Sequence, residues 1–271
     1  MNDDYIVTTY CVIDDILKAY GYQDDCRAQG SAAEVLTVAV VAAKYLQNHH
    51  ERTLYVLSQL GYIGRMSVSR FNRRLHALYD WLQNIVLVLG ELFAQGEVYI
   101  IDSMPLPVCK RVRARRCKKV RGRAFCGYCA AKQEKFFGWR LHLICTAAGI
   151  PVAFNLLPAA YHDLTAVHEL AFGLPSGAAL FGDKGFISAD DAKSLLADTG
   201  VRLVTPKRKN MAPNTWADDY DLAHYRKRIE SVYSQMEAMG VQRLHARTNL
   251  GFDLKAFASV LALAFSNIIS V

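Results

Sequence analysis

The stretch Val98-Tyr99-Ile100-Ile101-Asp102 marks the point at which the sequence changes from a helical pattern to a pattern of short strands. Before this stretch, apolar side chains recur every three or four positions, as they do in amphipathic helices. After it, short apolar runs alternate with turn signals and helical segments. We therefore expect an all-α N-terminal domain over residues 1–95 and an α/β domain over residues 96–271.

The α/β region is predicted to contain five strands and four helices. The strands are expected at residues 98–101, 139–145, 151–157, 178–181 and 201–204, and the helices at residues 164–172, 188–200, 222–239 and 254–269. In the N-terminal region, residues 71–92 carry the apolar stripe of a helix. Three antiparallel strands followed by alternating helices and strands indicate a mixed sheet flanked by helices.

A second feature of the sequence is the basic run, residues 110–123. The chain has 271 residues and a net charge of +7. The run holds nine basic residues and no acidic residue, so the rest of the chain is mildly acidic. Such a run needs either bulk water or a polyanion, and the phosphate backbone of DNA fits it. The nine cations are Lys110, Arg111, Arg113, Arg115, Arg116, Lys118, Lys119, Arg121 and Arg123.

Composition excludes several classes of protein. A hydrophobic content of 52% with 21% charged residues excludes general disorder. The start of the chain lacks the pattern of a secretory signal, and the apolar runs Val35–Ala43 and Ala256–Phe265 are shorter than the ~20 residues of a membrane span. The seven cysteines are an odd number, which argues for reduced thiols. We expect a cytoplasmic protein without a membrane partner.

Three carboxylates are the candidate catalytic groups. Asp102 and Asp183 each follow a predicted strand, and they would meet at one edge of the sheet if those strands are parallel neighbours. Glu230 borders the apolar face of the helix predicted over residues 222–239. Carboxylates gathered in this way could hold two divalent metal ions through oxygen ligands. Taken singly, each acid is more simply explained as a helix cap or a residue of a surface turn.

Four cysteines near the basic run have two interpretations. They could form a zinc site that orders this segment, but the seven residues between the first two exceed the usual ligand spacing, which favours reduced thiols without a metal. They are Cys109, Cys117, Cys126 and Cys129.

Two further groups of polar residues each have two interpretations. His162 and Asp163 could form a pair beside the metal-binding acids, although a helix cap by Asp163 is the commoner role; His142 is expected to be a core residue. In the N-terminal region, a Ser-capped helix presents Arg70, Arg73 and Arg74. It could be the recognition helix of a helix-turn-helix or an ordinary helix with a solvated basic face.

Four segments together resemble bacterial insertion-sequence transposases of the Asp-Asp-Glu class, and within it the group numbered nine-eighty-two. They are IIDSMPLPVC at residues 100–109, FGWRLHLI at 137–144, LFGDKGF at 180–186 and RKRIESV at 226–232. The spacings, 81 residues from Asp102 to Asp183 and 47 from Asp183 to Glu230, fit the group. The resemblance covers the chain from about residue 96 onward.

The resemblance implies a ribonuclease H-like catalytic domain with a basic, cysteine-containing insertion at about residues 107–137. It implies that Asp102, Asp183 and Glu230 are catalytic and hold two Mg²⁺ ions, for which Mn²⁺ can substitute. The implied reaction cuts DNA at the ends of a mobile element and transfers the freed 3′-hydroxyls to target DNA. The implied partners are the terminal inverted repeats, target DNA and a second copy of the chain, in the bacterial cytoplasm near the nucleoid.

The segment around Glu230 departs from a motif that many transposases of this class carry, Tyr-x2-Arg-x3-Glu-x6-Lys. Arg226 and Glu230 match, whereas Ala223 and Glu237 replace the Tyr and the Lys. DNA contacts of those two positions therefore do not carry over. Arg226 is expected to hold the Glu230 carboxylate or a phosphate, and Lys184 is a supporting residue. Two alternatives stay open: a nuclease of the same fold that does not join strands, and an inactive transposase-derived DNA-binding protein.

Overall fold

The computed structural model describes residues 1–130, 132–209 and 211–269. In this part of the chain there are nine α-helices and six strands. They form two compact units: Met1–Val86 together with Gln235–Val271, and Leu87–Ser234. The sequence boundary at residue 95 had placed the C-terminal residues with the α/β region, whereas the structure packs them with the N-terminal helices.

The first unit is helical. Its elements are α1 (Asp3–Ala19), α2 (Ala32–Leu46), α3 (His50–Gln59), α4 (Val68–Ala77), the first part of α5 (Tyr79–Phe93) and α9 (Asn249–Ile269). The single helix predicted over residues 71–92 is in fact two, because the backbone N–H of Leu78 closes α4 on Arg74 and Leu75. The spacing could not show this break, since Leu75, Leu78 and Leu82 are buried alike on both sides of it.

The core helix of this unit is α9. It packs against α1, α2 and α4, and its residues from Ala256 to Phe265 are buried on every side of the helix. Long-range hydrogen bonds tie it in: the Tyr5 hydroxyl donates to the Ala262 carbonyl at 3.0 Å, and the Asn48 amide donates to the Ser259 hydroxyl at 3.1 Å. By length and composition alone α9 could cross a membrane, but 78% of its most apolar stretch is buried inside the protein, as in a core helix.

The second unit is a mixed sheet with helices. Its elements are β1 (Val98–Lys110), β2 (Cys126–Cys129), β3 (Glu134–Thr146), β4 (Pro151–Pro158), α6 (Leu164–Ala171), β5 (Ala179–Gly182), α7 (Ala189–Thr199), β6 (Arg202–Val204) and the first part of α8 (Trp216–Ala238). The strand order is β2-β3-β1-β5-β6, and β4 also pairs with β3. The pairs β1–β3, β2–β3 and β3–β4 are antiparallel, and the pairs β1–β5 and β5–β6 are parallel. The expected fold class, a ribonuclease H-like mixed sheet after N-terminal helices, is confirmed.

Strand β1 is longer than predicted. Asp102 lies within it rather than after it, and the strand continues through two prolines to Lys110. Beyond Ile101 the parallel partner β5 has ended, so β1 pairs only with β3 on its other side. An edge strand tolerates the missing N–H groups of Pro105 and Pro107, which a central strand would not.

The apolar core of the second unit lies between the sheet and helices α6 and α7. Tyr99, Ile101 and Leu180 from the central strands are buried there with Val167 of α6 and Leu195 of α7. Asp102 of β1 and Asp183 after β5 lie at the carboxyl ends of the paired parts of these two strands, outside this cluster of buried residues. That edge of the sheet is therefore the place where polar side chains can gather.

Candidate active site

Asp102, within β1, and Asp183, directly after β5, occupy corresponding positions of two neighbouring strands. In the parallel pair of β1 and β5, Ile100 is opposite Phe181 and Ile101 is opposite Gly182. The next residue on each chain segment is the aspartate, so both carboxylates reach the same edge of the sheet. Both line one cavity of about 300 Å³. The condition that the two strands be parallel neighbours is thus met in the structure.

The electrostatics of this pair are unfavourable for two negative charges. Burial raises the pKa of Asp102 to about 7, and the charges of Asp183 and Asp163 add to the shift. One backbone N–H, that of Ser103, donates to Asp102 at 2.7 Å and opposes the rise. Partial desolvation also raises the pKa of Asp183, although this residue is exposed at the cavity and accepts a hydrogen bond from the Gly185 N–H at 2.7 Å.

Asp163 is the third carboxylate beside the pair, and its environment is the opposite. Its Oδ1 accepts hydrogen bonds from the Ser103 hydroxyl at 2.8 Å and from Arg140 at 3.3 Å, and the His142 Nε2 lies 3.1 Å away. Burial alone would raise the pKa of Asp163, but the hydrogen bond with His142 and the charge of Arg140 outweigh it and lower the pKa. Its side chain makes no capping hydrogen bond with α6, so Asp163 does not act as a side-chain cap of that helix. His142 is fully buried, as expected of a core residue.

The surroundings of Gly185 show how closely Asp163 and Asp183 approach each other. A side-chain carbon at this position would lie 2.9 Å from an Asp163 oxygen and 3.0 Å from an Asp183 oxygen. Two carboxylates therefore flank the same backbone position, one from the start of α6 and one from the end of β5. The absence of a side chain at Gly185 leaves room for this approach, because a carbon there would force a carboxylate to shift.

Glu230 lines the same cavity from α8, but its carboxylate is paired with an arginine of the same helix. Its Oε1 accepts a hydrogen bond from the Arg226 guanidinium at 3.1 Å, and both side chains are largely exposed. Within the described ranges, no group of three or more His, Cys, Asp or Glu side chains is close enough to hold a metal ion. The structure thus brings Asp102 and Asp183 together, with Glu230 on the same cavity wall and paired with Arg226, the partner that sequence reasoning proposed.

A comparison with known families is consistent with this geometry. Residues 94–249 match the family model described as a transposase DDE domain. The chain belongs to this family. The match spans more than half of the chain and includes β1 with Asp102, β5 with Asp183 directly after it, and the whole of α8 with Glu230. No curated protein and no solved structure matches the chain. Membership of the family implies transposase activity and DNA as the partner.

DDE transposases generally use divalent metals, and the donor set of this transposase fits them in part. Asp102 and Asp183 offer hard carboxylate oxygens. Burial, together with the charge of neighbouring carboxylates, raises the pKa of both. A divalent cation would relieve that repulsion. Glu230 has the right chemistry and lies at the same cavity, but in this structure its carboxylate faces Arg226.

Three residues of the site were missed by sequence reasoning. Ser103 and Arg140 bind Asp163, and the Tyr233 hydroxyl is buried without a hydrogen-bond partner in the described part of the chain. Burial and then the charge of Asp102 hold the pKa of Tyr233 well above its usual range. A signal was available for Arg140, because Arg140 and His142 are polar side chains two apart in an otherwise apolar strand and so share a face.

Two predicted supporting residues are also placed by the structure. Lys184 lines the cavity, and the His162 ring accepts a hydrogen bond from the Leu164 N–H at 3.3 Å.

The four cysteines near the basic run do not form a metal-binding group among the residues that the structure describes. All four are free thiols. Cys109 and Cys117 contact each other through a hydrogen bond, and burial raises the pKa of Cys109. Cys126 and Cys129 lie at the two ends of β2, a short strand that the sequence did not predict.

The basic run of the transposase is presented to solvent. It forms a 3-10 turn over Arg111–Arg116, and eight of its nine cations are exposed, Lys119 being half-buried. Buried Val120 anchors it to the sheet unit. Among the described residues, none of the nine cations forms an ion pair. These charges are therefore free to meet a polyanion.

The N-terminal basic helix is partly engaged within its own unit. The Ser67 hydroxyl caps α4 as predicted, accepting a hydrogen bond from the Arg70 N–H. The Arg74 side chain pairs with Asp24, and the Arg70 side chain hydrogen-bonds to Gln29. Arg73 lies beside them at a shallow cavity. Eight residues, 60–67, connect α3 to α4, which is longer than the turn of a usual helix-turn-helix, so DNA recognition by α4 stays a prediction.

Proposed function

We propose that this chain is an insertion-sequence transposase, of the group numbered nine-eighty-two, that cuts DNA at the ends of a mobile element and joins the freed 3′-hydroxyls to target DNA. The observation that carries the proposal is the parallel pairing of β1 and β5, which sets Asp102 beside Asp183 on one cavity within the region that matches the family. We assign both aspartates and Glu230 as the catalytic acids.

We further propose that these three acids hold Mg²⁺, as two ions, with Mn²⁺ as a substitute. When bound, the ions supply activation of the attacking oxygen and neutralisation of charge on the leaving oxygen. The protein's own part is to hold the acids in place. Asp163 fixes Ser103 and Arg140 next to Asp102, and Arg226 positions Glu230 one helical turn away. No covalent bond between protein and DNA is needed in this scheme.

DNA binding is assigned mainly to the basic run. Its exposed cations lie in the unit that carries the acids and have no acidic partners among the described residues. Cations of this kind neutralise phosphates without reading the base sequence. We assign recognition of the terminal inverted repeats to the region of residues 1–95, where α4 presents Arg70, Arg73 and Arg74. Joining of two ends favours a homodimer in the cytoplasm, close to the nucleoid.

The proposal is tested with candidate element ends in Mg²⁺, reading cleaved and joined products. Asp102→Asn, Asp183→Asn and Glu230→Gln should each reduce cleavage by at least ~10³-fold while DNA binding is kept, because each removes a charge from the reacting centre. Asp190→Asn, which changes an exposed acid of α7, is the matched control and should cleave normally.

A pre-cleaved end separates the alternatives. Joining of that end to a target supports a transposase, whereas cleavage without joining supports a nuclease of the same fold. An absence of both reactions with intact DNA binding supports an inactive DNA-binding protein. Cleavage that survives any one of the three substitutions would overturn the assignment of that acid.

A further inference from the structure

A second cavity of about 650 Å³ lies next to the catalytic one. We call it the basic groove; it is lined by the loop from Pro206 to Asn214, as far as that loop is described, and by residues of α8. It shares Pro206, Leu222 and Arg226 with the cavity that holds Asp102, Asp183 and Glu230. A linear ligand can therefore pass from one cavity to the other without leaving the protein surface.

The charge of the groove is mainly positive. Lys207, Arg208 and Lys209 are consecutive and exposed on its loop, and ion pairs among the described residues involve none of them. Asp219 also lines the groove, and its carboxylate accepts a hydrogen bond from the Asn214 amide at 2.9 Å. The three cations thus have no ion-pair partner in the described part of the chain. The neighbouring cavity holds carboxylates that would repel a phosphate unless cations stand near it.

The loop that carries these cations is tied at its base. The Asn214 amide that binds Asp219 also donates to the Thr205 carbonyl at 3.0 Å, which links the end of the loop to its beginning. Thr205 is buried. The Arg202 guanidinium pairs with Asp218 at 2.7 Å and joins β6 to the first turn of α8. The cations are therefore displayed from a fixed base rather than from a free chain.

Two large aromatic rings follow the loop directly. Trp216 and Tyr220 are one turn apart on α8 and stack on each other, with ring centroids 5.7 Å apart and planes inclined by 24°. They are 82% and 60% exposed. Stacked rings of this size left in water are unusual in a folded protein and mark a binding surface.

We propose that the basic groove and the Trp216–Tyr220 pair bind an unpaired DNA strand beside the scissile phosphate. Lys207, Arg208 and Lys209 contact its phosphates, and the rings stack on its bases. Cationic grooves that follow the backbone, combined with aromatic stacking platforms, are the means by which proteins hold single strands. Duplex DNA offers the rings little, because its bases already stack on each other. The proposal rests on the proposed function in that its ligand is the DNA substrate.

The test measures binding of a fluorescent oligothymidine, and of a duplex, to the full chain in EDTA, so that no cleavage occurs. Trp216→Ala should weaken single-strand binding ~5- to 150-fold, the loss of one stacked base, and leave its salt dependence unchanged. The triple change of Lys207, Arg208 and Lys209 to Ala should lower the slope of log affinity against log salt by about 2, at ~0.7 per phosphate contact.

Matched controls come from the same unit. Phe172→Ala removes another exposed ring, 79% accessible, at the end of α6, and Lys193→Ala removes an exposed cation of α7. Both should bind the oligothymidine as the unchanged chain does. The altered residues are on the surface, and unchanged melting temperatures would show that the fold is kept.

Two results would overturn the inference. One is wild-type single-strand binding in both Trp216→Ala and the triple variant. The other is an equal loss of single-strand and duplex binding in Trp216→Ala, because stacking on unpaired bases predicts a selective loss. Neither result touches the catalytic acids, whose test reads cleavage in Mg²⁺. Conversely, an absence of both cleavage and joining in Mg²⁺ would overturn the proposed function without changing the binding measurements made in EDTA.

Discussion

Asp102 and Asp163 are close neighbours whose surroundings push their pKa values in opposite directions. Asp102 is desolvated and has one backbone donor, so its pKa rises to about 7. Asp163 has the Ser103 hydroxyl, Arg140 and His142 around it, so its pKa falls. Neighbouring carboxylates whose pKa values are shifted in opposite directions usually have different roles. The lowered pKa of Asp163 favours its charged form, which holds its hydrogen-bond donors in place. A nearby cation would stabilise the charged form of Asp102, which its surroundings disfavour.

Asp163→Asn is therefore predicted to impair a positioning residue. It leaves Arg140 without its counter-charge, and we expect cleavage to fall ~10- to 100-fold, as for residues that orient metal-binding groups. The Mg²⁺ concentration for half-maximal cleavage should rise as well. A purely structural role would lower stability without moving that concentration. Cleavage assays over a Mg²⁺ series, with Asp190→Asn as control, distinguish the two roles.

The strand ends and the helix that carries Glu230 and Arg226 made part of the site predictable. The aspartates after two apolar runs indicated Asp102 and Asp183, because parallel strands end at one edge of a sheet. The contacts of Asp163 could not be predicted in the same way. They depend on the register that sets Ser103 opposite His142 across β1 and β3, and on a carboxylate that reaches them from the start of α6.

Among the elements, the strands show where sequence patterns stop being informative. The apolar runs located β1, β3, β4, β5 and β6, but the prolines of β1 concealed its second half. A pattern cannot show that β5 stops at Gly182 and leaves β1 an edge on that side. Strand β2, residues Cys126–Cys129, was missed because its sequence, Cys-Gly-Tyr-Cys, lacks the apolar run that marks the other strands.

Helix α9 carries a carboxylate that the fold disfavours. Asp253 is partly buried, its Oδ1 has no hydrogen-bond partner in the described part of the chain, and its Oδ2 accepts from Asn249 at 3.0 Å. Burial raises the pKa of Asp253 to about 6. The folded protein thus binds this proton more tightly than the unfolded chain does. Stability is lost as pH rises from about 4 through 6, and stays lower above that range.

Asp253→Asn is accordingly predicted to stabilise the protein at pH 7.5. We expect about 1 kcal/mol, less than the full linkage value because the carboxyl is partly solvated, or a melting temperature ~2–4 °C higher. At pH 4 the gain should vanish. Denaturant titrations at both pH values measure this, with Asp15→Asn, an exposed acid of α1, as control. An equal gain at both pH values would contradict the role of the charge.

For the molecule as a whole, charge is segregated rather than dispersed. The basic run and the basic groove are both in the unit that carries the three acids. The same unit therefore carries both the cations and the negative centre, and the basic groove adjoins that centre. This arrangement allows a polyanion to approach carboxylates that would otherwise repel it.

Replacing Arg115, Arg116, Lys118 and Lys119 by Ala is predicted to weaken duplex DNA binding. The slope of log affinity against log salt should fall by about 3 to 4, at ~0.9 per phosphate contact. The measurement is a binding titration over a salt series, and Lys193→Ala is the control. An unchanged slope would show that the basic run does not contact DNA.

The division of the chain into units differs from the boundary that the sequence suggested. Near residue 95 the pattern changes from helices to strands, but α9 returns to the first unit 150 residues later. Periodicity identifies a helix and its apolar faces without identifying the partner that covers them. An apolar helix such as α9 needs cover on every side, and α1, α2 and α4 provide it.

This arrangement has a consequence during translation. The ribosome delivers α1, α2 and α4 first and the helix that completes their core last, with the whole sheet unit synthesised in between. Until α9 emerges, the apolar faces of the early helices lack their partner and are open to chaperones or to aggregation. A nonsense mutation or frameshift between residues 235 and 249 would therefore leave the sequence of the sheet unit complete and remove the core helix of the first unit.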